Sequence, residues 1–369
     1  MKIGFIADIH VGNHRRFGGP VVSGINTRCG LVLTSLQRAV QHAKNTVGCD
    51  VLVVLGDLFD TSRPEAQIIA EVQKALELIP TILLLGNHEQ VSTSAGDHAL
   101  GPLDPVATLV ERPEVIEMGS DTELWVVPFQ PGNARDWLPG VLKKLSEGGK
   151  LGALRILCLH LGISDNDTAP WLKGAFDSIA AGELGLLCEH YGIQFAFAGN
   201  WHDRRQWVTM PSVITQVGAL VPTGFDNPGV DGYGGLAILD TKTKNVVVET
   251  VAGPRFVKAK WRSGAPVFKE NGQSQNWFVQ LSAPLDDLEA ARAYIANAVE
   301  KGALAGGEVV PDSVETTAAA RGAATVARSA ETLDEAVAGF IAAMVLPDDV
   351  SRASLTERVR NYLALGGDK

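Results

Sequence analysis

The chain has 369 residues, 46% of them hydrophobic, with 32 Lys and Arg against 42 Asp and Glu for a formal net charge of −10. The apolar content is ample for a core, and the length calls for a large domain with something smaller appended. An acidic balance argues against a domain that holds nucleic acid by bulk electrostatics, yet leaves room for an enzyme whose bound cations supply positive charge locally.

Five apolar runs of strand length each close on a short polar cluster. In chain order they are IGFIADIH, ending in Asp8 and His10; VLVVLGD, ending in Asp57; TILLLGNHE, ending in Asn87 and His88; RILCLH, ending in His160; and QFAFAGNWH, ending in Asn200 and His202. Between the first three runs, residues 31–44 and 66–78 carry apolar positions at helical spacing, with Pro64 just ahead of the second helix. Alternating strand and helix is the βαβ signature of an α/β fold. After His202, GYGGLAILD and NVVVETVAG read as two strands joined by a short polar turn, so the sheet is expected to finish antiparallel and the domain to end near Gly253.

Beyond residue 265 the pattern gives one strand, NWFVQLSA, a helix over 285–301 and a Gly-rich break at 302–307. Residues 315–330 are rich in Ala and Thr and give no clear pattern. Two amphipathic helices are expected at 333–344 and 354–365, separated by Pro347, Asp348 and Asp349. The expected organisation is a domain over 1–253, a small α/β module over 265–315 and C-terminal amphipathic helices over 331–369.

Cys29, Cys49, Cys158 and Cys188 lack CxxC spacing and read as reduced packing residues, which points to a cytoplasmic setting. No run approaches the roughly 20 apolar residues of a membrane span, and the first strand is far shorter than a signal-peptide core.

Polar residues that end buried runs carry the chemistry. Open α/β sheets place ligand sites in the crevice beyond their strands' carboxyl ends, so one crevice can collect all five clusters. Asp57 ends a buried run, where a carboxylate has to be paired or coordinated, and it fits as a bridge between two cations. Asp60 is expected to cap the following turn. In Gly86-Asn87-His88-Glu89 the amide oxygen can ligate a hard cation while the adjacent imidazole faces substrate as acid or charge stabiliser. A lone DxH or a lone strand-end His is more often a loop or core residue; five such sets in one order multiply coincidences and point to a two-metal hydrolase. Two cations about 3.5 to 4 Å apart bind phosphate oxygens and deprotonate the attacking water. The basic pairs Arg15 with Arg16 and Arg204 with Arg205, and the series Arg255, Lys258, Lys260 and Arg262, are either phosphate contacts or solvated surface. Trp201 either stacks an unpaired base or packs in the interior.

These motifs, DxH, GD, GNH, H and a GHxH-like GNWH in this order over residues 1 to about 250, resemble the calcineurin-like metallophosphoesterase superfamily. The string GDLFDTSRP and the helical tail look most like its SbcD-type DNA exonucleases, including phage-encoded versions. The resemblance implies a four-layer αββα sandwich with a small C-terminal α/β cap and helical tail, and two divalent metal ions, Mn²⁺ first and Mg²⁺ as the alternative. It implies metal ligation by Asp8, His10 and His202 on one ion, Asp57 as bridge, and Asn87 and His160 on the other. His88 is the implied catalytic residue. Asn200 stands where the family pattern has its first His, and is expected on the second metal, which it should favour as a hard cation and hold less tightly.

The implied activity is a DNA phosphodiesterase, a 3′–5′ exonuclease in DNA recombination, repair or phage DNA metabolism, with Arg15, Arg16, Arg204 and Arg205 on the substrate. The alternatives are a small-molecule or protein phosphoesterase, or a catalytically weakened scaffold. DNA, an SMC-like ATPase and a second copy of the chain are the implied partners, in the cytoplasm of a bacterial cell or phage-infected host.

Overall fold

The computed structural model describes residues 1–92, 96–168, 175, 177–225, 235–268, 274–312 and 351. The chain divides into two units, Met1–Leu281 with Glu289–Val309, and Ser282–Leu288 with Val310–Lys369. The amphipathic patterns at 333–344 and 354–365 and the stretch at 315–330 lie outside the described residues. Among its described residues the second unit contributes the 3₁₀ turn Leu285–Asp287.

The first unit is built on two six-stranded sheets. In the first, the order is Asn245–Thr250, Gly235–Asp240, Lys2–Ile6, Val51–Val54, Thr81–Leu84 and Thr108–Val110. Lys2–Ile6 runs parallel to Val51–Val54 and antiparallel to Gly235–Asp240, and the remaining strands toward Thr108–Val110 continue parallel. In the second, the order is Arg205–Thr209, Ser212–Gln216, Ile193–Gly199, Leu154–His160, Thr122–Val127 and Glu114–Glu117, with a parallel centre and antiparallel edges. The expected antiparallel finish is the pairing of Gly235–Asp240 with Asn245–Thr250.

Strand residues alternate between two cores because successive side chains leave opposite faces of a sheet. Ile3, Phe5, Val51, Val53, Ile82 and Leu84 of the first sheet pack with Leu124, Val126, Ile156, Cys158, Phe195 and Phe197 of the second. Phe5 and Phe197 stack across this interface with ring centroids 3.8 Å apart. The intervening residues Ile6, Leu52, Val54 and Leu83 turn the other way, onto Leu36, Val40 and Val72 of the helices Thr27–Gln41 and Ala66–Leu76. On the far side Trp125, Leu157, Leu159 and Ala196 meet Leu138, Leu142 and Leu184 of Ala134–Glu147 and Ala181–Tyr191. Helix, sheet, sheet, helix is therefore the layer order, as expected of this α/β sandwich.

The first helix begins at Thr27 rather than 31, because Asn26 caps it: the side-chain oxygen accepts the Cys29 N–H at 2.8 Å. A third sheet, ordered Ala265–Val267, Arg255–Arg262, Trp277–Ala283 and Gly306–Pro311, follows with the helix Leu288–Glu300. The strand Arg255–Arg262 escapes the apolar-run reading, although the alternation in RFVKAKWR carries it: Phe256, Val257, Ala259 and Trp261 are buried while Arg255, Lys258, Lys260 and Arg262 are exposed. All four cysteines are buried free thiols. Among the described residues no helix is long and apolar enough to cross a membrane.

Candidate metal centre

The site forms where parallel strands of both sheets end on the same crevice. Beyond Lys2–Ile6 the chain is held against the segment after Val51–Val54: Asp8 N–H donates to Gly56 O at 3.2 Å and His10 N–H to Asp57 O at 3.0 Å. From the other sheet, His160 Nδ1 lies 2.6 Å from Leu55 O, and the Asn200 N–H reaches the Asp8 carboxylate at 2.9 and 3.1 Å. Close approach explains two motif glycines. A Cβ on Gly56, whose φ is +92°, would fall 2.2 Å from His160 Nδ1, and one on Gly86 would fall 2.2 Å from Asp57 Oδ1. Asp8, His10, Asp57 and Asn200 themselves have positive φ, from 50° to 93°, a conformation uncommon outside glycine that the surrounding bonds have to hold.

Three overlapping donor sets result: Asp8 with His10 and His202, Asp8 with Asp57 and His160, and His10 with Asp57 and His88, with donor atoms within 4.8 Å of one another in each. Asp8, His10 and Asp57 each belong to two of the three sets, so the sets form one continuous cluster. Asn87 joins the second group through its Oδ1, 2.9 Å from His160 Nε2, which also lies 3.4 Å from Asp57 Oδ2. Asp8, His10, Asp57 and His160 are buried, while His88 is exposed.

The donor set fits divalent cations on three counts. His160 Nδ1 faces a carbonyl, which can only accept, so an Nδ1–H is held there and Nε2 is the ring nitrogen turned to the cluster, the one a metal would take. His10 Nε2 and His202 Nε2 face each other at 3.2 Å, and His202 Nδ1 is anchored 3.2 Å from Thr223 Oγ1. His10 Nδ1 is buried without a hydrogen bond. Finally, the protonation of the cluster shows an excess of negative charge. Burial works against a charged His160, yet Asp57 and Asp8 outweigh it and push the ring up to about 10. Asp57 is buried too, and its neighbours His160, His10 and His88 hold it well below the carboxylate range. Burial drives His10 down to about 3 and raises Asp8. A divalent cation bound here would supply the positive charge that these buried carboxylates favour, in competition with a proton on His160.

Several residues around the donor cluster are held by bonds that only the folded chain closes. Glu89 is fully buried and pushed up to about 8, by burial first and then by Asp57. Its Oε2 accepts the N–H of Asp57 and Gly86, and its Oε1 that of Phe59. The Asp57 Oδ1 in turn accepts the His88 N–H at 3.0 Å. Asn200 turns its Nδ2 to Asp177, 3.0 Å from Oδ2 and 3.2 Å from the carbonyl. Asp60 does not cap its turn; the Thr61 hydroxyl accepts the Arg63 N–H instead, and the Asp60 carboxylate lies 3.3 Å from His14 Nδ1 and 3.7 Å from His10 Nδ1. Trp201 is buried against Gly162, where an added Cβ would meet the indole at 2.4 Å, so it packs rather than stacks a base.

The four arginines differ. Arg15 is exposed and makes no ion pair among the described residues. Arg16 pairs with Glu308 at 2.5 Å and lies over the Phe17 ring. Arg205 is matched by Asp165 at 2.9 Å and Asp203 at 3.0 Å, and Arg204 has a buried Nη1 without a hydrogen-bond partner among the described residues.

Residues 1–218 match the family model of the calcineurin-like phosphoesterases. The chain belongs to this family. As a calcineurin-like phosphoesterase it is a hydrolase whose fold uses divalent metal ions. No curated protein sequence matches it. Among solved structures it is similar to a Staphylococcus aureus protein described as a 5′-nucleotidase (14% identity over 68% of this chain and 53% of that one, TM-score 0.41). It is also similar to an archaeal phosphodiesterase (12% identity, 68% and 100%, TM-score 0.36) and to a purple acid phosphatase from yellow lupin, Lupinus luteus (14% identity, 65% and 49%, TM-score 0.39). The calcineurin-like phosphoesterase described here spans about half the length of the first of these.

Proposed function

We propose that the chain is a metal-dependent DNA phosphodiesterase working as a 3′–5′ exonuclease. The observation that carries the hydrolytic part is the overlap of three donor sets in one crevice, with the Asp57 carboxylate common to the set that holds His160 and the set that holds His10, which suits two cations around one phosphate. The nucleic-acid part is supported by the resemblance of GDLFDTSRP to SbcD-type nucleases and by the arginines at Arg15 and Arg16 beside the site.

In this reading Asp8, His10 and His202 hold one cation, Asp57 is common to both, and Asn87, His160 and Asn200 hold the other. With its Nδ2 committed to Asp177, Asn200 has Oδ1 as its remaining donor atom. Bound Mn²⁺, or Mg²⁺ as the alternative, supplies Lewis acidity to the phosphate and lowers the pKa of the attacking water. The P–O bond to the leaving sugar breaks, and that oxygen needs a proton. His88 is the exposed imidazole of the cluster. Its Nδ1 lies 3.1 Å from the Asp60 carbonyl, which fixes the Nδ1–H and leaves Nε2 to carry and release the transferred proton.

A panel assay with Mn²⁺ tests the proposal. Degradation of linear DNA supports it; turnover of bis-p-nitrophenyl phosphate without DNA cleavage favours a small-molecule or protein phosphoesterase, and neither activity points to a scaffold. The SMC-like ATPase partner and the homodimer belong to the same proposal. A pull-down with the full chain against a version ending before Thr332 tests them, unchanged partners removing the idea that the tail docks them.

A further inference from the structure

Beside the donor cluster lies a cleft of about 580 Å³ whose lining includes Arg15, Arg16, Arg28 and Arg63 against the two carboxylates Asp60 and Glu65. In a chain of net charge −10, this is a local island of opposite sign.

The cleft shares its walls with the metal centre. Thr223 presents Oγ1 to His202 Nδ1 at 3.2 Å and its carbonyl to Arg28 Nη2 at 2.7 Å. Asp60 presents its carbonyl to His88 Nδ1 at 3.1 Å and its carboxylate to His14 at 3.3 Å. One residue thus separates the cleft from a ligand imidazole on one side and from the exposed histidine on the other.

Its acids are already engaged. Asp60 is held by His14 and lies near His10, and Glu65 Oε1 accepts from Asn13 Nδ2 at 3.2 Å. Arg28 is committed to the carbonyls of Arg16 and Thr223, and Arg16 to Glu308. Arg15 and Arg63 line the cleft, are exposed and make no ion pair among the described residues, which leaves their guanidinium groups open to an anion. Planar guanidinium forks match phosphate oxygens bidentately, which makes a phosphate group the anion this arrangement suits.

Resting on the nuclease reading above, we infer that this cleft binds the phosphate next to the scissile one in a nucleic-acid strand, with Arg15 and Arg63 as its contacts. The donor cluster takes one phosphate; a second, at the fixed spacing of a polynucleotide backbone, is what an adjoining arginine cleft can recognise. A simple phosphate monoester has no group to place there. The cleft would therefore select polynucleotides over small esters.

The test is binding of a dye-labelled thymidine octamer without terminal phosphates, followed by anisotropy with Ca²⁺ in place of Mn²⁺ and over a range of KCl. Three proteins are compared: wild type, Arg15→Ala/Arg63→Ala, and Lys143→Ala/Lys144→Ala, which removes the same charge from an exposed helix face elsewhere. The arginine pair is expected to lose about tenfold in affinity and to flatten the salt dependence by about 0.7 in log–log slope per phosphate contact removed, with the lysine pair unchanged. Equal binding by the arginine variant, equal weakening by the lysine variant, or no measurable binding by wild type overturns the inference. Matching melting temperatures exclude a folding artefact at these exposed positions. Cleavage of the same octamer with Mn²⁺ reads the nuclease proposal separately: arginine-dependent binding without cleavage removes that proposal alone, and cleavage with arginine-independent binding removes the cleft alone.

Discussion

The carboxylate of Glu89 accepts the backbone N–H of Asp57 at 3.2 Å. The same Oε2 takes the N–H of Gly86 at 2.9 Å, and Oε1 takes that of Phe59 at 2.8 Å, so one buried acid ties the strand-end loop carrying Asp57 to the one carrying Asn87 and His88. Replacing it with Gln sets an NH₂ group against an N–H donor and leaves at least one buried donor without an acceptor. Glu89→Gln is expected to lose about 2 kcal/mol of stability in urea unfolding. Because Asp57, Asn87 and His88 are carried on the segments these bonds tie together, Mn²⁺ affinity should fall by about 10- to 100-fold in calorimetric titration if they form the proposed centre. Wild-type stability together with wild-type affinity would remove Glu89 from this role.

The donor residues that the fold gathers were legible because each interrupts an apolar run at its end, a local contrast that survives without knowing the fold. Asp177 and Thr223 show no such contrast, and Glu89, although it closes the run TILLLGNHE, gives no sign in the sequence of what it binds. Glu89 acts on Asp57, 32 residues away, and Asp177 acts on Asn200 through a side-chain bond that only the folded chain closes. Their partners are largely backbone groups or amides, which any sequence supplies. The same limit applies to the arginines: Arg15 with Arg16 and Arg204 with Arg205 look alike as pairs, yet Arg205 is matched by Asp165 and Asp203 while Arg15 has no ion pair among the described residues. The layers were legible for a different reason, since period-2 burial is written in the strands themselves; the strand Arg255–Arg262 was missed because its alternation lies outside any continuous apolar run.

The stacked pair of Phe5 and Phe197 joins the two sheets at full burial. Phe5→Ala and Phe197→Ala should each cost about 3 to 5 kcal/mol through lost burial and the cavity left behind. Since each ring lines the other's cavity, the double variant should cost less than the sum by about 1 kcal/mol. Chemical denaturation of the four proteins closes this cycle, and strict additivity would mean that the rings do not support each other.

His88 belongs to one of the three donor sets and is also the exposed imidazole beside them, so ligand and proton donor are separable only by experiment. As a proton donor, His88→Gln should lower the rate on DNA by about 10² to 10⁴ while both ions remain bound in an Mn²⁺ titration. The loss should shrink on bis-p-nitrophenyl phosphate, whose phenolate leaves without a proton. Loss of one ion from the titration, or an equal loss on both substrates, would move His88 to the ligands.

Asn200 sits at a φ of +93°, with its backbone N–H on Asp8 and its Nδ2 on Asp177. An amide oxygen coordinates hard cations well and is a weaker donor than imidazole toward softer ones. Asn200→His should therefore tighten the second Mn²⁺ and raise the preference for Mn²⁺ over Mg²⁺, and His is among the side chains that enter the left-handed region with less strain than most. Asp177→Ala should do the reverse: with nothing to hold Nδ2, the amide loses its orientation, and affinity for the second ion should drop by about 10- to 100-fold while the first is unchanged. If both variants titrate like wild type, Asn200 is not a ligand, and the second centre rests on Asp57, Asn87 and His160 alone.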